Sequence, residues 1–113
     1  MILKRLTYMS EYVRDFAHYA LRVRDLIVSL LLLIVLGGVT ISQVENIKLG
    51  DAIYFAFITG LSIGYGDISP ETGVGKVVSV AIGLVGILFV GLTVAIATRA
   101  LAKMAKRHAE TKD

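Results

Sequence analysis

Two long runs without a formal charge constrain this chain more than any other feature. Leu26 to Val44 is 19 uncharged residues and Val77 to Thr98 is 22. At 1.5 Å per residue the shorter run makes a helix of ~29 Å, about the thickness of a bilayer's hydrocarbon core. Apolar residues make up 56% of the chain, and mean hydropathy is +0.75, too high for an ordinary soluble domain. Both runs are therefore expected to cross a membrane. Residues 1–25 carry Lys4, Arg5, Arg14, Arg22 and Arg24 against three acids, and residues 99–113 carry Arg99, Lys103, Lys106, Arg107 and Lys112 against two. Between the runs, Lys48 and Lys76 face Glu45, Asp51, Asp67 and Glu71. Lysine and arginine concentrate on the cytoplasmic side, so both termini are expected inside the cell membrane. At 113 residues the chain is a single unit. Without cysteine it has neither disulfides nor thiolate metal sites.

A third apolar run, Ala52 to Leu61, has only ten residues, the length class of a re-entrant helix. Asp51 is placed to cap its start. A helix entering from outside and stopping in mid-membrane leaves the negative end of its dipole in the bilayer centre, where it favours a cation. Then comes Thr59-Gly60-Leu61-Ser62-Ile63-Gly64-Tyr65-Gly66-Asp67. Glycine takes φ > 0 without steric cost, and alternation of ordinary with left-handed backbone can turn successive carbonyls the same way. Four such segments around an axis would stack rings of oxygens able to replace a monovalent cation's hydration shell. Irregular backbone at that depth is tolerated only where it is buried in protein or lines water. A phosphate-cradling loop would need a Lys followed by Ser or Thr after the last glycine, and a strand before it. Neither is present.

The segment resembles the potassium-channel signature T-x-x-T-x-G-Y-G-D. Thr59, Gly64, Tyr65, Gly66 and Asp67 match it, and Ser62 stands where the second threonine usually is. By resemblance, over residues 26–99, the chain is similar to the prokaryotic two-transmembrane potassium channel pores. The implied fold is an all-α membrane protein, with two transmembrane helices flanking a re-entrant pore helix and selectivity filter, assembled as a homotetramer. The expected bounds are about 26–44 for the first span, 51–61 for the pore helix, 62–66 for the filter and 76–99 for the second span, within a pore domain of residues 25–99. The resemblance implies K+ at carbonyls of Ser62, Ile63, Gly64 and Tyr65, with Gly66 completing the filter and the Ser62 hydroxyl forming the innermost ring. No cofactor is implied beyond the permeant K+. Thr59 and Asp67 would support the filter, and Tyr65 would pack against Tyr54 and Phe55. Some relatives pair the aspartate with a pore-helix glutamate. Here that position is Ile58, which leaves Tyr54 as the hydrogen-bond partner expected for Asp67. Serine keeps threonine's oxygen but loses its methyl, so its rotamer is less restricted and the innermost site looser.

On the second span, Gly86 lies 22 residues after Gly64, where the two-span family has its hinge glycine. It is read as a hinge, with Gly91 near where such helices splay. Gly83, and Gly37 and Gly38 on the first span, are read as close-packing positions. From Gly86, residues Ile87, Val90, Gly91, Val94, Ala95 and Thr98 recur at helical spacing and would line the inner cavity and a hydrophobic gate.

Residues 1–24 place Ile2, Leu6, Met9, Val13, Phe16, Ala20 and Val23 at steps of three and four, with basic residues mostly elsewhere. Two readings stay open: an amphipathic interfacial helix on an anionic inner leaflet, or an extension of the first span. Residues 100–113 read as a basic cytoplasmic tail. His18 and His108 read as solvated surface groups, and the four outer acids as a negative entrance. No nucleic-acid partner is expected.

These features point to a potassium-selective channel conducting passively. A weakly selective cation channel of the same fold is the alternative, although such relatives usually alter the Gly-Tyr-Gly segment. A membrane scaffold or accessory subunit leaves the short apolar run and the glycine-bracketed tyrosine unexplained. An enzyme is not expected, since no catalytic set converges inside the spans. No helix carries arginine at every third residue, so voltage sensing of that kind is not encoded. A regulatory domain or subunit would belong to another chain or to a longer protein.

Overall fold

The computed structural model describes residues 1–111, so Lys112 and Asp113 of the expected tail lie outside the described residues. The described chain is all-helical: α1 (Ile2–Arg22), α2 (Arg24–Glu45), α3 (Leu49–Gly60) and α4 (Gly73–Thr111). α2 and α4 are long and apolar enough to cross a membrane, and α3 is not. Much of α2 and α4 is exposed, including Leu32, Leu36, Val77, Val80, Leu84 and Leu88. Apolar surface on that scale needs lipid or protein against it. The charges that bracket each uncharged run set the helix bounds to within a few residues. The exception is the inner end of α4, which continues past Arg99 as one helix.

The chain divides into two compact units, not the single one that its length suggests. One holds residues 25–91, with a core of Ile34, Ile41, Ala52, Phe55, Ala56 and Ile82. Gly37 packs on Ile82 of α4, as expected, but Gly38 packs on Ile53 and Ala56 of α3 rather than on the second span. Asn46, at φ 59, ends α2, a left-handed position that asparagine tolerates. Asp51 does not cap α3. The cap position is Lys48, in extended conformation, and Asp51 sits within the first turn. There its charge still opposes the positive end of the dipole.

The turn between the segment and α4 is tied down by a residue whose role was not anticipated. The Glu45 carboxylate accepts hydrogen bonds from the backbone amides of Glu71 and Thr72 and from the Thr72 hydroxyl. The Thr72 hydroxyl in turn accepts from the Gly75 amide at 2.9 Å, which makes it the N-cap of α4.

The second unit holds residues 1–24 and the inner part of α4, from Leu92. Here the N-terminal half of the apolar stripe is not the side that packs on α4. Ile2, Leu6, Met9 and Val13 of the apolar stripe are exposed. The side of α1 against α4 is instead acidic and aromatic. Asp15, 3% exposed, accepts from Arg107 at 3.0 Å on both oxygens. Glu11 meets His108 at 2.5 Å and Arg107 at 3.6 Å. Tyr8 stacks edge-on with His108, and Tyr12 donates to the Ala97 carbonyl. His108 is therefore a packed group rather than a solvated one.

Asp15 is almost dry while Arg107 keeps about a third of its surface, so the pair lies between the buried and exposed regimes. Removing Arg107 leaves a buried carboxylate uncompensated. Arg107→Ala is expected to lower the opening free energy of α1 by about 2 kcal/mol. Hydrogen exchange of the α1 amides measures this, and adding Asp15→Leu should recover part of the loss.

The glycine-bracketed segment and its supports

α3 ends at Gly60, and its last carbonyls hold the chain that follows. The amides of Leu61 and Ser62 donate to Phe57 and Thr59, while those of Ile63 and Gly64 both donate to the Ile58 carbonyl, at 2.9 and 3.1 Å. The end of the helix is thereby joined to an irregular segment with its amides satisfied. Beyond it, left-handed backbone occurs at every second residue: Ser62 at φ 64, Gly64 at φ 61 and Gly66 at φ 80. This alternation is the backbone condition set by the sequence reading. Glycine was expected to supply it alone, yet serine takes the first position. For a residue with a Cβ, left-handed backbone costs ~1–2 kcal/mol.

Residues 61–67 are exposed in the single chain. The expected supports divide. Tyr54 donates to Asp67 Oδ2 at 3.0 Å, the bond anticipated from Ile58 occupying the glutamate position. Phe55 is buried in the helical core rather than turned toward Tyr65, and Tyr65 is 70% exposed, so the aromatic packing expected for it is not made within one chain. Phe55, Thr59 and Asp67 instead line a cavity of about 190 Å³ beside Gly64 and Gly66.

Two contacts that the sequence reading missed fix the end of α3. A Cβ on Gly60 would lie 2.9 Å from Ile34 Cδ1 of α2. A Cβ on Gly86 would lie 1.9 Å from the Gly60 carbonyl oxygen and 2.6 Å from its Cα. Gly86 therefore has a packing role that only a missing side chain can fill: α4 touches the terminus of α3 backbone to backbone. Added Cβ atoms at Gly83 and Gly91 would meet nothing within 4 Å, so the packing expected of Gly83 is not made within the chain. Among the anticipated lining residues, Ile87, Val94, Ala95 and Thr98 are exposed on α4 and Val90 is half-buried. Ala95 also lies on a groove beside Tyr19 and Arg22.

A family model described as an ion channel matches residues 28–103. A bacterial chain from Rhodopseudomonas palustris, named only provisionally as a potassium channel protein, is 37% identical over 51% of this chain and 14% of its own length. A voltage-gated potassium channel from Aeropyrum pernix is 46% identical over 33% of this chain and 12% of its own. A two pore potassium channel from Oryza sativa is 39% identical over 50% and 12% respectively. The matched segments thus span about an eighth of these curated relatives. No solved structure matches significantly.

Gly86→Ala cannot be absorbed by a side-chain shift, because the atom it meets is backbone. The variant is expected to lose about 3 kcal/mol of stability, at the upper end of overpacking costs, in reversible unfolding of the detergent-solubilised protein. Tyr54→Phe, which removes an exposed bond to a carboxylate, should loosen the far end of the segment, read as faster hydrogen exchange at the Gly66 and Asp67 amides.

Proposed function

Because the chain belongs to the ion channel family, matched over two thirds of its length, and is a membrane protein rather than an enzyme, we propose that it forms a potassium-selective pore. The observation that carries the reading is the left-handed alternation at Ser62, Gly64 and Gly66, in the motif T-x-x-S-x-G-Y-G-D at the end of a short apolar helix. In this reading four copies surround an axis and α3 is re-entrant. K+ exchanges its water for carbonyls of Ser62, Ile63, Gly64 and Tyr65, with the Ser62 hydroxyl innermost. The exposure of Tyr65 supports the tetramer, since a neighbouring copy can supply the packing that one chain lacks. The termini lie on the cytoplasmic side of the cell membrane, and the basic residues of α1 meet anionic lipid there.

Gly86 serves two purposes in this reading. It lets α4 touch the end of α3, and with Gly91 it lets the inner half of α4 bend. Ile87, Val90, Val94 and Thr98 form the wall that narrows or opens, whereas Ala95 lies on the groove beside Tyr19 and Arg22 instead. A regulatory domain or subunit on a longer protein would apply the stimulus. A weakly selective cation pore is the second reading, favoured by one observation: a serine in left-handed backbone, where the signature has threonine.

Ion flux from liposomes reconstituted with the purified protein decides between them. Potassium-driven flux blocked by barium, with little sodium flux, is the expected result, and equal fluxes would demote selectivity. Ser62→Thr sharpens the test. A β-branched residue is a genuine outlier at φ > 0, so threonine drives position 62 toward ordinary backbone and fixes its hydroxyl. The barium concentration for half-block should fall several-fold, whereas unchanged block would remove the looser innermost site.

A further inference from the structure

The C-terminal end of α1 and the inner part of α4 enclose a groove of about 220 Å³ within one compact unit. Its α4 wall is Leu92, Ala95, Ile96 and Arg99, spaced i, i+3, i+4, i+7 and therefore on one helix face. Its α1 side contributes Arg22 and Val23. Arg99 is the first charge after 22 uncharged residues, which places it at the membrane boundary. Ile96, Ala95 and Leu92 then lie about 5, 6 and 10 Å deeper along the axis. The groove is apolar inside the hydrocarbon and has two guanidinium groups at its mouth.

Neither arginine is neutralised within the described residues. The acids of α1 itself, Glu11 and Asp15, are engaged by Arg107 and His108. Arg22 and Arg99 are exposed and meet no carboxylate among the described residues. Guanidinium groups favour phosphate because their planar fork matches two of its oxygens. A soluble phosphate would satisfy the mouth and leave the apolar floor unused. An apolar chain alone would leave the two cations without a partner. One ligand class satisfies both: a glycerophospholipid with an anionic headgroup.

We infer that this groove is a discrete binding site for one anionic phospholipid of the inner leaflet, with its phosphate between Arg22 and Arg99 and an acyl chain along Val23, Leu92, Ala95 and Ile96. The volume exceeds the roughly 150 Å³ that accepts benzene, enough for a stretch of chain with the remainder in the bilayer. The site deepens the proposed lipid partnership and rests on the membrane placement of α4. It does not depend on which ion the pore carries.

The test is lipid binding to the intact assembly, counted by native mass spectrometry after delipidation. The protein is titrated with phosphatidylglycerol or phosphatidylcholine. Phosphatidylglycerol is expected to bind at least tenfold more tightly. Arg22→Gln and Arg99→Gln should each weaken it about fivefold, the equivalent of ~1 kcal/mol per basic residue at an anionic surface. Together they should remove the preference, while the Arg→Lys versions, which keep the charge but lose the fork, should retain only part of it. Val23→Phe, which fills the groove from the α1 side, should weaken both lipids. Elution of each variant at the wild-type assembly size controls for folding. Glycerol phosphate in hundredfold excess should not compete, and if it does the site takes a free anion and the lipid assignment fails. A preference that survives loss of both arginines would place the headgroup on Lys4, Arg5 or Arg14 and overturn the site. Absence of lipid from the wild-type protein would mean a neighbouring copy fills the groove, which also overturns it. Binding is read without ion flux, so lipid bound to a protein that carries no potassium would count against the channel reading alone.

Discussion

The placement of the glycine-bracketed segment depends on one backbone contact, Gly86 of α4 against Gly60 at the end of α3. A helix of twelve residues has little surface with which to fix its own position. Here its terminus is held from two sides, by Ile34 of α2 and by the bare backbone of α4. With the terminus fixed, the carbonyls of Phe57, Ile58 and Thr59 sit where the next four amides can reach them. This satisfies the backbone amides before the chain turns irregular. Tyr54 then holds the far end of the segment through Asp67. The segment is a short irregular stretch fixed at both ends by one short helix.

What was legible in the sequence follows from how local each cause is. Formal charges end the apolar runs, and charge is visible residue by residue, so α2 and the outer portion of α4 fall close to their expected bounds. The Tyr54–Asp67 bond was legible only through the resemblance, which puts Ile58 where some relatives carry a glutamate. The packing face of α1 was not. Periodicity shows that two sides differ but not which side finds a partner, and the partner here is reached through pairs 92 and 97 positions apart. The α1–α2 break falls at Val23, beside the expected boundary at 24, although no glycine or proline announces it. Glu45 looked like one of several outer acids, although the amides it binds are 26 and 27 residues further on. Gly86 was read from its spacing as a hinge; its contact with Gly60 requires two helices in register, which spacing along one helix cannot show.

Charge in α1 is sorted rather than balanced. Both of its acids turn toward Arg107 and His108, and its exposed surface keeps Lys4, Arg5, Arg14 and Arg22 beside Ile2, Leu6, Met9 and Val13. The net charge of the chain, +3, therefore understates the positive potential that α1 offers to its surroundings. Proteins near membranes gain about 1 kcal/mol per basic residue at an anionic surface, and internal pairing of the acids preserves that gain. The same pairing makes the face against α4 specific, since a carboxylate dried to this degree accepts few substitutes.

Ser62 marks a position where two kinds of selection part. Its backbone is of the left-handed kind that glycine adopts at no cost, so glycine there would make a more stable polypeptide. Glycine would also delete the side-chain hydroxyl two positions before Gly64. In the proposed pore, a library sorted on thermal survival should drift toward glycine at 62, and one sorted on transport should keep a hydroxyl there. Such opposition between durability and use is common at working sites, and in this segment it centres on a single side-chain oxygen.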